Sequence, residues 1–330
     1  MIGKNSPEPE KQKNRRSKEI INKMKNLKQH KNISFKKPLL LMALLTCFTL
    51  CSKAQLNPFQ SMYFQNRYLI NPAMAGLDQG LNINLGYRQQ WSPFPGSPKS
   101  QTLTADYQAT DRVGVGLNVT DDQSGLLRQT RAMGTYAYHL PLGEHNQKLN
   151  FGLSLGVNDG RIDVDKIVGD ETDEQIARYN QAKPYVDGDF GIAYTSDNLF
   201  LEGAIPNLKA AFFKNSIERI DVDRVEFFAA ASYKIYISSG YTDLLIEPLT
   251  AYRKVKGAKD IVDAGFNFTM SNYFISLQAI YHSNQSTGLG LVFDQRAYAF
   301  NFTYNLETGK LSGYTAGAFE LGLKLKLFRK

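Results

Sequence analysis

The chain has 330 residues, with 39 Lys+Arg against 31 Asp+Glu and only 2 cysteines, a length that suits one large domain or two modest ones. Its formal net charge of +8 points towards an acidic partner, but residues 1–54 hold 13 of the basic and only 3 of the acidic residues. The remainder is slightly acidic, so a nucleic-acid partner loses its support. Both cysteines, Cys47 and Cys51, fall in that leader, which removes disulfides, thiolate metal sites and cysteine nucleophiles from the rest of the chain.

Residues 1–54 read as an export signal. Lys36 and Lys37 precede the apolar run "PLLLMALLTCFTLC", and Ser52 and Ala54 stand at the −3 and −1 positions of a cleavage site. The mature chain then begins at Gln55. The stretch before Lys36 is long for such a signal, and Met24 is the alternative start. Leu50 stands where a small residue precedes a lipidated cysteine, which argues against a lipoprotein, and the run is too short for a retained anchor. No later segment reaches the roughly 18 apolar residues of a membrane helix. An exported chain of this kind is soluble in the periplasm, secreted, or an outer-membrane β-barrel.

Residues 55–79 form an irregular segment containing "NRYLINPAMAG" (66–76), with an Asn-Pro step and no regular period. Pro72 holds Asn71 extended, and Gly76 permits a tight bend. From Leu81 the pattern has period two. In "RVGVGLNVT" (112–120), Val113, Val115, Leu117 and Val119 share one face and Gly114, Gly116 and Asn118 the other. "KLNFGLSLGV" (148–157) and "FELGLKLKL" (319–327) repeat this, which means strands with one apolar and one polar face.

Fourteen strands are expected, near 80–90, 100–109, 112–120, 128–139, 148–157, 185–195, 198–204, 224–236, 241–252, 260–269, 272–281, 287–294, 296–305 and 319–328. Short joints alternate with long ones at 158–184 and 205–223, the habit of an outer-membrane barrel. Tyrosines near strand ends (Tyr136, Tyr138, Tyr252, Tyr273 and Tyr281 among them) suit an interfacial girdle. The expected fold is therefore all-β, a transmembrane antiparallel barrel over 80–330. The irregular segment cannot face lipid, because its backbone would go unsatisfied there, and is expected in the lumen or periplasmic mouth.

Candidate chemistry is thin. "GLSLG" (152–156) matches a nucleophile pattern, but that motif needs a strand-to-helix turn, and Ser154 lies mid-strand facing the lumen. His139, His145 and His282 share no metal-ligand spacing, and His139 reads as a solvated residue beginning a turn. The acidic loop 161–179, with Asp163 and Asp165, lacks the spacing of a calcium loop and reads as solvated, its tail "DEQIARYNQ" as a short helix. The loop 206–223 carries Phe212 and Phe213 among charges, a docking patch or the loop's own small core. No phosphate loop appears. No cofactor, metal or catalytic constellation is expected.

An ordered set of motifs resembles the PorP/SprF family, outer-membrane proteins of the type IX secretion and gliding-motility machinery of Bacteroidetes. It comprises Tyr68, Asn71, Pro72, Ala73, Ala75 and Gly76; then Arg88 and Trp91; then Pro98, Gln101, Thr102, Asp106 and Tyr107; with "YAYHLPLGEHNQKLNFGLSLGV", "GAIPNL" and "GAFELGLKLKLF" downstream. The likeness covers nearly all of the mature chain. It departs where the family often has "GSHE" before the last strand and this chain reads "GAFE". The resemblance implies a non-enzymatic barrel that helps export or hold surface cargo such as large adhesins and touches periplasmic components linked to peptidoglycan or the secretion ring. It implies that Arg88 and Trp91 anchor the N-terminal segment or the adjacent rim. The competing readings are a solute channel and a secreted soluble β-sandwich.

Overall fold

The chain divides into Met1–Ala54 and Gln55–Lys330. A computed structural model describes residues 61–91, 96–143, 146–164, 174–212, 225–239, 242–256, 259–308 and 317–329, all within the second unit.

The strands are β1 (Leu81–Gln90), β2 (Lys99–Thr110), β3 (Val113–Ser124), β4 (Leu127–Pro141), β5 (Lys148–Ile162), β6 (Tyr185–Thr195) and β7 (Leu199–Ile205). The second half holds β8 (Val225–Tyr233, continued by Ile235–Ser239), β9 (Thr242–Val255), β10 (Ile261–Met270), β11 (Ile275–His282), β12 (Ser286–Asp294), β13 (Tyr298–Glu307) and β14 (Ala318–Leu327). The two segments of β8 are one stave interrupted at Lys234. Ser232 faces Leu249 and Ile235 faces Ile246, so the register against β9 is unbroken. Each strand pairs antiparallel with its sequence neighbours, and β1 closes on β14 from Leu81↔Leu327 to Gln90↔Ala318. The result is a closed barrel of fourteen staves, each matching one of the strands read from the alternation.

The two faces show which side of the wall meets lipid. Leu85, Val115, Leu153, Leu155 and Phe302 point outward and are exposed, whereas Asn82, Thr104, Asn150, Asn305 and Glu320 point inward and are buried. A soluble sandwich packs its apolar faces together, and this molecule does the reverse, which rules out the sandwich reading. Rows of outward leucine would be costly in water, at about 25 cal/mol per Å² of apolar surface, and are at ease against lipid. Most staves reach the roughly 9–11 residues that a tilted strand needs to span a bilayer. Tyr136, Tyr273 and Tyr281 are exposed on the outside.

The end that bears the start of β1 and the end of β14 has tight connections at 111–112, 196–198 and 295–297. The opposite end carries the long ones, including 163–184 with helix α1 (Glu174–Gln181) and 206–224 with helix α2 (Leu208–Phe212). Short turns face the periplasm in outer-membrane barrels and long loops face outward.

Candidate functional site: a strap inside the barrel

Residues 61–80 run through the lumen from one mouth to the other. Ser61 Oγ donates to Asn305 Oδ1 (3.3 Å), at the level where β13 meets Ala318 and Ala318 meets Gln90, the long-loop end. Gly80 delivers the chain to β1 at the short-turn end, its own position pressed against the carbonyl of Leu327. Between these points the strap has two styles of attachment.

Its first half is held by charge. Arg67 Nη1 meets Glu202 at 2.6 Å, and Nη2 meets Glu247 and Ser232 (3.1 Å to the latter). The guanidinium also lies 4.6 Å from the centre of the Phe200 ring. Each carboxylate comes from a different strand, so one largely shielded arginine ties β7, β8 and β9 together. A buried guanidinium is tolerable only with such partners. Tyr63 donates its hydroxyl to Asp263 and stacks on Phe228, with centroids 6.1 Å apart. Asp263 is itself gripped by Arg253 Nε (2.8 Å) and Nη2 (2.9 Å) and by His282 Nδ1 (2.6 Å), a two-pronged carboxylate contact of the strong kind.

Its second half is held by shape. Asn71 is extended (φ −125°, ψ 109°), and its side-chain oxygen accepts from the Ala73 amide at 3.0 Å, capping a 3₁₀ turn at Pro72–Met74. This is the conformation that Pro imposes on its predecessor, closed by an Asx-type cap. The turn presses into a seat of wall glycines. A Cβ on Gly152 would fall 2.2 Å from the Pro72 carbonyl carbon, one on Gly191 2.0 Å from Asn71 Oδ1, and one on Gly114 1.9 Å from the Ala75 oxygen. Glycine is required here because the strap's backbone, and at Gly191 the Asn71 side chain, occupies the space a Cβ would take. At Gly76 the chain turns with φ +67°, and its amide donates to Asp106 Oδ2 at 3.0 Å. Tyr68 Oη donates to Thr135 (2.8 Å), which in turn meets Ser154 (2.7 Å). Asn118 donates to the Leu69 carbonyl.

The motif residues separate into three groups. Tyr68, Asn71, Pro72, Gly76 and Asp106 meet in the lumen. Arg88 instead pairs with Glu320 across the β1–β14 seam at 2.9 Å, and the Trp91 amide donates to Gly317, so both belong to the long-loop rim and neither touches the strap through these contacts. Gln101 and Tyr107 are exposed on β2, while Pro98 is buried at its approach. At that mouth Asp163 follows the end of β5, and Phe212, at 71 % exposure, ends α2. Asp165 and Phe213 lie outside the described residues.

One expectation is overturned. His139 is no solvated turn residue. β4 continues to Pro141, His139 faces the lumen fully buried, and its Nε2–H donates to the Ala75 carbonyl at 3.1 Å. The sequence reading also missed Tyr63, Arg67, Glu202, Glu247 and Asp263. The available signal was their parity: Glu202, Glu247 and Asp263 are acidic residues on the inward face of apolar strands.

The family model described as "Type IX secretion system membrane protein PorP/SprF" matches residues 52–325. No curated protein matches the chain. Among solved structures, the chain is similar to the outer membrane protein Omp33 of Acinetobacter baumannii, at 9 % identity and TM-score 0.43, over 76 % of this chain and 100 % of that one. It is similar to the CymD monoaromatic hydrocarbon channel at 10 % identity and TM-score 0.44, over 80 % and 93 %. It is also similar to the P. putida toluene transporter TodX at 12 % identity and TM-score 0.41, over 81 % and 95 %.

Proposed function

Since the chain belongs to the PorP/SprF family of type IX secretion system membrane proteins, an outer-membrane barrel of that machinery, we propose that it works as a plugged anchor rather than as a conduit. On this reading the barrel performs no catalysis. It helps export or hold surface proteins such as adhesins at its long-loop mouth and meets periplasmic secretion-system or peptidoglycan-linked components at the other. Residues 1–54 are its removed export signal. The loops that bear Asp163 and Phe212 supply partner specificity, since loops on a rigid scaffold are where recognition concentrates.

The observation that carries the reading is the strap. A lumen threaded from Ser61 to Gly80, with backbone packed on wall glycines, has its bore spent on its own chain. The rival reading is a solute channel, and planar-bilayer recording separates the two. The anchor reading expects no steady conductance from the full barrel, and a stable ohmic current would end it. Pull-down from detergent-solubilised outer membrane, with mass spectrometry, tests the partners. Recovery of a large surface protein or a secretion component is expected; recovery of neither would reject the assignment.

A further inference from the structure

Between the strap and the short-turn mouth lies a cavity of about 430 Å³, within the size range of small-ligand sites. Its walls bring together Arg67, Lys148, Lys234 and Lys324 with Asp78, Asp106 and Glu247. The carboxylates are already engaged: Glu247 by Arg67 and Ser232, Asp78 by Lys324 at 3.0 Å, and Asp106 by the Gly76 amide. Two cations are not. Among the described residues, Lys148 and Lys234 line the cavity without a direct ion pair, Lys234 lying only within longer-range attraction of Glu247 and Asp78.

Lys234 sits where β8 is interrupted. Its amide donates to the Asn198 carbonyl at 2.8 Å, and its own carbonyl accepts from Asn198 Nδ2 at 2.7 Å. Its backbone is thus pinned to the β6–β7 turn, and its ammonium lies 4.5 Å from the centre of the Phe200 ring, which Arg67 also contacts. One aromatic ring therefore carries two cations, an arrangement that holds positive charge in place at the cavity wall. Lys148 opens β5 near the rim. Among the described residues neither ammonium group has a hydrogen-bonding carboxylate of its own, and an anionic oxygen such as a carboxylate's meets such donors with a charge-assisted hydrogen bond.

We infer that this vestibule binds a carboxylate-bearing peptide, a short acidic segment of a partner entering from the periplasmic side. The source of the ligand rests on the orientation given above; the binding itself does not depend on which cargo the barrel serves or on whether it conducts. The test uses the purified mature protein in detergent, titrated calorimetrically with triglutamate, with triglutamine as the neutral control and inorganic phosphate as competitor. Saturable, salt-sensitive binding of triglutamate is expected, with none for triglutamine. Lys148→Gln or Lys234→Gln weakens it about tenfold, the scale of one charge-assisted hydrogen bond, and Lys148→Glu/Lys234→Glu abolishes it. Heat-modifiable electrophoretic mobility reports folding for each variant. If Lys234→Gln misfolds, Lys148→Glu at the rim decides alone. Absence of saturable binding, equal binding of triglutamine, unchanged affinity in the double variant, or displacement by phosphate at equal concentration would each overturn the inference. A failed pull-down would leave it standing, and a failed titration would leave the anchor reading standing.

Discussion

The two halves of the strap are fixed by different physics. Around Arg67 and Tyr63 the lumen grips through ionised side chains that converge from strands distant in sequence. Around Asn71–Gly76 it grips by lacking side chains, so that main chain touches main chain. The charged half is tunable by chemistry with little change of shape. The glycine half is tunable only by volume, and the kinds of substitution that disturb each half differ accordingly.

The largest effect is expected from orphaning the guanidinium. Glu202→Gln with Glu247→Gln leaves the largely shielded Arg67 without a counter-charge, a loss of about 3 kcal/mol, read as a lower urea midpoint in refolding from denaturant. Removing Arg67 together with both acids is expected to restore much of it, and a triple variant as weak as the double would dissolve the contrast. Next comes Gly152→Val. Its added carbons collide with the Pro72 backbone, for a loss of about 3 kcal/mol, with single-channel current appearing if the strap is expelled. Gly134, near which nothing but one carbonyl at 3.9 Å lies, tolerates Ala as the control.

A third substitution probes the wall. Leu153→Arg on the lipid side should cost about 2–4 kcal/mol near the bilayer midplane, whereas Ser154→Ala next to it removes only one link of the Tyr68–Thr135–Ser154 chain and costs about 1 kcal/mol. Asp106→Asn comes lower still, since an amide oxygen goes on accepting from Gly76, at about 1 kcal/mol or less. Asp163→Asn in the long-loop mouth should stay within about 0.5 kcal/mol. Heat-modifiable mobility ranks the set, and an Asp106→Ala variant, which loses the acceptor altogether, would remove the lumenal role of Asp106 if it behaved like the Asp163 variant.

The strands were legible because lipid on one side and polar lumen on the other impose strict alternation. Their ends were not. β5 runs on through Asn158–Ile162, where "NDGRI" has no apolar alternation, because Leu127–Arg131 of β4 lies opposite and continues the ladder. β3 likewise extends through Asp121–Ser124. The strap's bend was legible in Asn71, Pro72 and Gly76, since those residue types restrict the local backbone. Its attachments were not, because Glu202 and Glu247 look like any wet-lumen acid until a barrel brings them to Arg67. His139 was misjudged for a related reason. A histidine followed by Leu-Pro-Leu-Gly resembles a turn, and only its pairing with Asn150 reveals two more residues of strand.

The passage of the strap between both mouths bears on how the molecule is made. Leu81–Gln90 follows the strap at once, yet its second neighbour, Ala318–Leu327, is the last strand of the chain. Were that seam sealed first, Tyr63, Arg67 and Tyr68 would have to be hauled through a finished ring, past each acceptor in turn. Laying the segment down early, as a mandrel around which the sheet is wound, avoids this. A strapless barrel offered the missing piece as a free peptide should then fail to take it up, while the intact chain refolds with it enclosed.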